Sequence, residues 1–236
     1  MIEFGYVALV ITMATIIIVG YNYALKGANT PDDLRKKYLG RLWIGLFLWF
    51  AYTFAIAKSG LLQNLDLPPR FPIFLILPVF IFIGVFLYKQ QKSPVIAALP
   101  KSWLIYYQSF RIVIESLFVA SVGVGVLHPE VTFEGYNYDI VFAFTAPIVA
   151  YLVFNKKILS EKVALAWNYL GLAVISVIIF LFVTTMYFPA VWGSTESIAA
   201  KGFLEFPYVL VASFLMPSAV FMHVLSIIQL SRKDIA

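Results

Sequence analysis

"VALAWNYLGLAVISVIIFLFVTTMYFP", residues 163–189, holds no Asp, Glu, Lys or Arg. As a helix rising 1.5 Å per residue, it is long enough to cross a bilayer core about 30 Å thick. Its apolar character is continuous, whereas barrel strands alternate polar and apolar residues, so the run reads as a transmembrane helix. The same search outward along the chain gives seven such runs, at 4–25, 39–60, 72–90, 102–127, 138–155, 163–189 and 203–231.

Composition agrees. The chain is 62% hydrophobic and 12% charged, with a mean hydropathy of +0.90, whereas soluble domains carry about 25% charged residues. The expected architecture is an all-α membrane protein, a seven-transmembrane-helix bundle forming one domain over residues 1–236. The first run carries Glu3 in place of a basic leader and shows no small-residue cleavage site before Tyr21, so it is expected to be a retained helix.

Positive charge alternates between the connections. Lys26, Arg35, Lys36, Lys37 and Arg41 follow the first run, Lys89, Lys92 and Lys101 the third, Lys156, Lys157 and Lys162 the fifth, and Arg232 and Lys233 the last. The opposite connections hold Lys58, Arg70 and Lys201 against Glu3, Asp66, Glu130, Glu134, Asp139, Glu196 and Glu205. The positive-inside rule then puts the N-terminus outside and the C-terminus in the cytoplasm. The net charge of +5 is this topology signal plus attraction to anionic lipid headgroups, and is no argument for nucleic acid. Without cysteine there is no disulfide, thiolate metal site or cysteine nucleophile.

Within this apolar frame, "QSFRIVIE" (108–115) places Gln108, Arg111 and Glu115 three and four residues apart, on one helix face. Arg111 lies about 15 Å and Glu115 about 21 Å from Lys101 along the helix, well inside the hydrocarbon. Arginine at mid-membrane costs roughly 2.5–3.5 kcal/mol on insertion scales, so this face should point into the bundle, with Arg111 reaching Glu115 as an i,i+4 pair. Equal depth counts on other helices suggest His223, Tyr52, Thr53 and Thr145 as partners, with Asn168 shallower. Two readings stand: a ligand or proton site, since Glu and His exchange protons, or a structural clamp in which the ion pair only fixes helix packing.

The connection "HPEVTFEGYNYD" (128–139) gathers His128, Glu130, Glu134, Asn137 and Asp139. It suits an entrance vestibule or a hard cation such as Ca²⁺, though its spacing matches no EF-hand, and it equally suits a solvated turn with Asp139 capping the next helix. No metal site is assigned to it.

"QSFRIVIE", "TFEGYNYDI" and "TAP" together resemble a family of uncharacterised bacterial seven-helix inner-membrane proteins. That resemblance implies a multi-pass protein of the bacterial inner membrane and supplies no activity or catalytic residues.

Three prolines, Pro78, Pro147 and Pro217, fall inside predicted helices, where each should free the carbonyl four residues earlier. "FPIFLILPVFIF" faintly echoes "FPYVLVASFLMPSAVF", but no comparable echo links the first and fifth runs, so an internal repeat of the kind in SWEET sugar transporters is an analogy of topology alone. Segment 26–41, after Thr30-Pro31-Asp32-Asp33, reads as a short interfacial helix or a solvated connector. Ala120, Gly123, Gly125, Gly171 and Ala173 read as close-packing positions.

No cofactor is expected. The last run holds no lysine for a retinal Schiff base, and His128 and His223 lie at different depths, unsuited to one haem. HExxH, GxSxG and Walker motifs are absent, which leans against an enzyme. The expected partners are membrane lipids, a small solute or protons, and a second copy or partner subunit. The function classes are transport or binding, scaffolding, and a seven-helix sensor.

Overall fold

The computed structural model describes residues 1–194 and 201–232. Glu196 and Lys233 of the charge pattern lie outside them. Among the described residues every regular element is helical. Apart from four short 3₁₀ turns, these are in chain order α1 (Ile2–Gly27), α2 (Asp32–Lys58), a π-helical turn Pro72–Ile76 leading into α3 (Leu77–Gln90), α4 (Pro94–Ala97), α5 (Lys101–Tyr106), a 3₁₀ turn Tyr107–Ser109, α6 (Phe110–Gly123), α7 (Asp139–Ala150) running on into a π-helical turn Tyr151–Asn155, α8 (Glu161–Tyr187), and a π-helical turn Val211–Leu215 opening α9 (Met216–Ser231).

Five helical stretches are long and apolar enough to cross a membrane: Ile2–Gly27, Asp32–Lys58, Pro72–Gln90, Glu161–Tyr187 and Val211–Ser231. The chain is therefore a helical, polytopic membrane protein. The runs expected at 102–127 and 138–155 are also helical, but the first is divided at Tyr107–Ser109 and the second, Asp139–Asn155, is short. The last run starts at Val211, not at residue 203, because 203–210 is mostly turn.

Segment 26–41 forms no separate interfacial helix. After the turn at Asn29, α2 begins at Asp32 and continues without a break to Lys58, with Asp32 and Asp33 in the first turn where the helix dipole favours negative charge. A salt bridge from Arg35 to Asp32, 2.8 Å, lies on that turn.

Burial orders the bundle. In the most apolar window of the last span 61% of residues are buried, against 6% for the second, so α9 is central and α2 peripheral. Around α9 lie α8, α5, α3 and α4, while α1 packs on α6 and α2, and α7 bridges α5, α6 and α8. The outer faces of α2 and α3 present Phe47, Leu48, Ile81 and Phe82, as lipid-facing surfaces do.

Two of the three proline-freed carbonyls are met by one face of α2. Pro217 removes the donor for Ser213 O, which accepts from Trp49 Nε1 at 2.8 Å. Pro78 does the same for Phe74 O, which accepts from Tyr52 Oη at 2.9 Å. Trp49 and Tyr52 are one helical turn apart and stack at 5.3 Å. In both cases a π-helical turn occupies the residues just before the proline, Pro72–Ile76 before Pro78 and Val211–Leu215 before Pro217. The faint sequence echo thus corresponds to a shared local distortion.

Of the five small residues read as close-packing positions, Gly171 alone lies in tight packing. Ala120, Gly123, Gly125 and Ala173 are exposed, and Gly125 serves a turn with φ +72°.

Trp49→Phe leaves Ser213 O without a donor where water is scarce and is expected to cost about 1–3 kcal/mol. Tyr52→Phe, at the more open site, should cost less. Unfolding in detergent checks both, and unaltered stability in Trp49→Phe would mean that the carbonyl finds another donor.

Candidate functional site

Arg111 sits on the first turn of α6 and is buried. Its partner is Asp139, the first residue of α7: Nε donates to Oδ2 at 2.8 Å and Nη2 to Oδ1, a bidentate pair. The planar guanidinium fork fits a carboxylate in this way, and only such pairing makes two buried charges tolerable. Phe142, one turn along α7, lies under the guanidinium with its centroid 5.1 Å from Cζ.

The expectation of an i,i+4 pair between Arg111 and Glu115 is corrected by this geometry: the two form no ion pair. The order Arg then Glu is the weaker one on a helix, and Asp139 approaches the guanidinium edge-on from a second helix. The readings of Asp139 as part of a solvated connection or as a helix cap are corrected as well: it is 4% exposed, and its carboxylate serves Arg111. The helix start is organised by Asn137, whose Oδ1 accepts from the Asp139 N–H at 3.0 Å.

A chain of hydrogen bonds continues across the bundle. Arg111 Nη1 lies 3.3 Å from His223 Nε2 on α9, and His223 Nδ1 is 2.8 Å from Asn168 Oδ1 on α8. Guanidinium nitrogens only donate, so Nε2 accepts, and the ring proton resides on Nδ1 and is donated to Asn168. Asn168 Nδ2 then donates to Ala164 O at 2.8 Å and to Ser226 Oγ at 2.9 Å. The imidazole lies in an apolar sleeve, 5.3 Å from the Trp167 ring, which stacks on Phe142 at 4.6 Å.

Gly171 makes this approach possible. A Cβ there would stand 2.6 Å from His223 Nε2 and 3.0 Å from Phe142 Cε1, so α8 can lie against the imidazole only without a side chain at this position.

Glu115 is the exception to this saturation. It is 1% exposed, its Oε1 accepts from Asn137 Nδ2 at 3.0 Å, and its Oε2 has no partner. Asn137 Nδ2 also donates to Val131 O at 3.1 Å, which ties Glu115 to the 128–139 connection. Two buried carboxyls therefore stand near one guanidinium, and Asp139 occupies it.

The remaining candidates are dispersed. Gln108 is buried and donates from Nε2 to Ala219 O at 3.0 Å, its Oε1 unpartnered. Thr145 accepts from Trp167 Nε1 at 2.8 Å and donates to Phe142 O, so it supports the aromatic sleeve without a hydrogen bond to His223. Tyr52 and Thr53 are on peripheral α2 and do not hydrogen-bond to the cluster. His128 pairs with Glu130 at the surface and Glu134 is exposed. Among the described residues no three His, Cys, Asp or Glu side chains gather as a metal site would require.

Ser226, which spacing alone does not single out, lies three residues after His223 on the same face of α9. Nothing in local spacing marked Asn137 and Asp139 as inward-turned. The available signal was the arginine itself, which needs a carboxylate wherever one can be brought.

No family model, curated protein or solved structure matches the chain.

Arg111→Gln and Asp139→Asn are each expected to cost about 3–5 kcal/mol, because each strands a buried charge, and the double variant should recover much of the loss. Detergent melting curves of the four proteins test this, and additive losses would show that the pair is not coupled. Gly171→Ala is expected to destabilise by about 1–3 kcal/mol through the clash with His223, with His223→Ala in the same chain relieving most of it.

Proposed function

We propose that the protein is a seven-helix protein of the bacterial inner membrane, N-terminus outside and C-terminus in the cytoplasm, of the uncharacterised family whose motifs it resembles. Its intramembrane polar cluster binds or passes a proton or a small solute at Glu115. Supporting the topology are the alternation of basic residues and the helical character of 101–123 and 139–155.

The observation that carries the functional reading is the second carboxyl. A clamp between α6 and α7 needs one carboxylate, and Asp139 supplies it with both oxygens. Glu115 adds nothing to that pair and keeps a buried oxygen without a partner, which a structural role leaves unexplained. A carboxyl is the group that takes up and releases a proton, and intramembrane acids recur in proton relays. Asn137 links it to the 128–139 connection and so to one membrane face, while Arg111 supplies a fixed positive charge beside it.

The second reading is a scaffolding subunit, possible because Arg111, His223 and Asn168 form a closed hydrogen-bonded clamp across α6, α7, α8 and α9. It would hold membrane lipids and a partner subunit, with no transported species.

In proteoliposomes with a valinomycin-set potassium potential and an internal pH dye, the wild type is expected to pass protons above the rate of empty vesicles. Glu115→Gln should reduce that flux to background with a melting temperature close to wild type. Equal flux in the variant removes Glu115 from the path. Wild-type flux no higher than that of empty vesicles removes the proton reading, and a stable partner recovered in mild detergent would then favour the scaffold.

A further inference from the structure

Away from the Arg111 cluster, the start of α5 and the end of α9 meet at one end of the bundle. A cavity of about 50 Å³ lies there, lined by Ala97, Lys101, Gln229 and Arg232. Such a volume holds several water-sized groups.

Two buried polar atoms at this cavity are left unsatisfied, and they are of opposite kind. Gln229 is 6% exposed, and its Nε2 donates to Leu99 O at 2.9 Å and to Ile96 O, which holds the amide in place. Among the described residues its Oε1 has no donor, and Arg232 Nη2 has no acceptor. Lys101 Nζ pairs with both carboxylate oxygens of Glu161, at 2.9 and 2.8 Å, so among the described residues two cations face one anion and the guanidinium charge is uncompensated. A water could bridge the orphan donor and acceptor but would leave that charge unanswered.

We propose that this cavity seats the headgroup of an anionic phospholipid bearing a free hydroxyl, of the phosphatidylglycerol kind. A phosphate oxygen accepts from Arg232 Nη2 and Lys101 Nζ, and the glycerol hydroxyl donates to Gln229 Oε1. The site lies where membrane-crossing helices end, at headgroup depth. Trp103, in the first turn of α5, is paired with Tyr23 at 4.8 Å, the aromatic placement found at bilayer interfaces. The proposal rests on the membrane reading but is independent of proton or solute passage at Glu115.

The test uses the full chain in mild detergent, with binding read by native mass spectrometry and melting temperature. The probes are phosphatidylglycerol, phosphatidylmethanol, phosphatidylcholine and inorganic phosphate. Phosphatidylglycerol is expected to bind most tightly, with phosphatidylmethanol, equal in charge but lacking the headgroup hydroxyl, weaker. Arg232→Gln should weaken phosphatidylglycerol binding by about tenfold or more, the worth of a charge-assisted hydrogen bond. Gln229→Leu should abolish the preference over phosphatidylmethanol, whereas Lys36→Ala, on exposed α2, should change neither. Equal binding by wild type and Arg232→Gln overturns the site, as does phosphatidylcholine binding as tightly as phosphatidylglycerol, which would leave water in the cavity. Inorganic phosphate reproducing the stabilisation overturns the lipid as the source. Arg232 follows the last residue of α9 and is only half-buried, so its variant keeps the test open if Gln229→Leu does not fold.

Discussion

The buried pair between Arg111 and Asp139 is the constraint around which the polar interior is organised. An arginine inside a membrane helix is expensive unless a carboxylate meets it, and the two-pronged contact fixes both the separation and the rotation of α6 relative to α7. The third nitrogen of the fork then determines the acceptor face of His223, which in turn sets its tautomer and its donation to Asn168. The approach of α8 to this imidazole depends on Gly171. One ionic contact thus sets the register of four helices through directional bonds, where apolar packing against lipid-like neighbours would discriminate weakly.

The second organising element is peripheral. Helix α2 buries little of itself, yet Trp49 and Tyr52 reach from it to the two carbonyls that Pro217 and Pro78 leave without donors. In water such carbonyls would be hydrated. In hydrocarbon they require a protein donor, and indole and phenol groups supply one while keeping their rings in apolar surroundings. Two distorted helices, α3 and α9, are therefore held against an outer helix by polar contacts, although the surface between them is otherwise apolar.

These two arrangements differ in what they leave over. Around the prolines the freed acceptors at Ser213 and Phe74 are matched by donors. Around Arg111 the accounting closes for Asp139, His223 and Asn168 and stays open at Glu115, whose second oxygen faces no donor. A buried, unmatched carboxyl oxygen beside a saturated clamp sets Glu115 apart from the frame around it, and the proposed proton or solute site rests on that difference.

The sequence by itself determined the membrane-helical class, because long uncharged runs have no other stable form in a bilayer, and it determined that Arg111 must face inward with a partner. Equal depth also placed His223 within reach of that layer, with Asn168 a little shallower. What it did not determine was which carboxylate would answer the arginine, since spacing along one helix reveals only i,i+3 and i,i+4 neighbours and therefore favoured Glu115. Asp139 stands at the end of an acidic connection that reads as solvated, and Tyr52 and Thr53 share the right depth on a helix that lies elsewhere. Depth along a helix follows from counting residues. Which helices are adjacent, and how each is rotated, follows from the sum of packing and directional hydrogen bonds over the whole bundle, so the pairing of Arg111 with Asp139 and the isolation of Glu115 were decided by the tertiary structure.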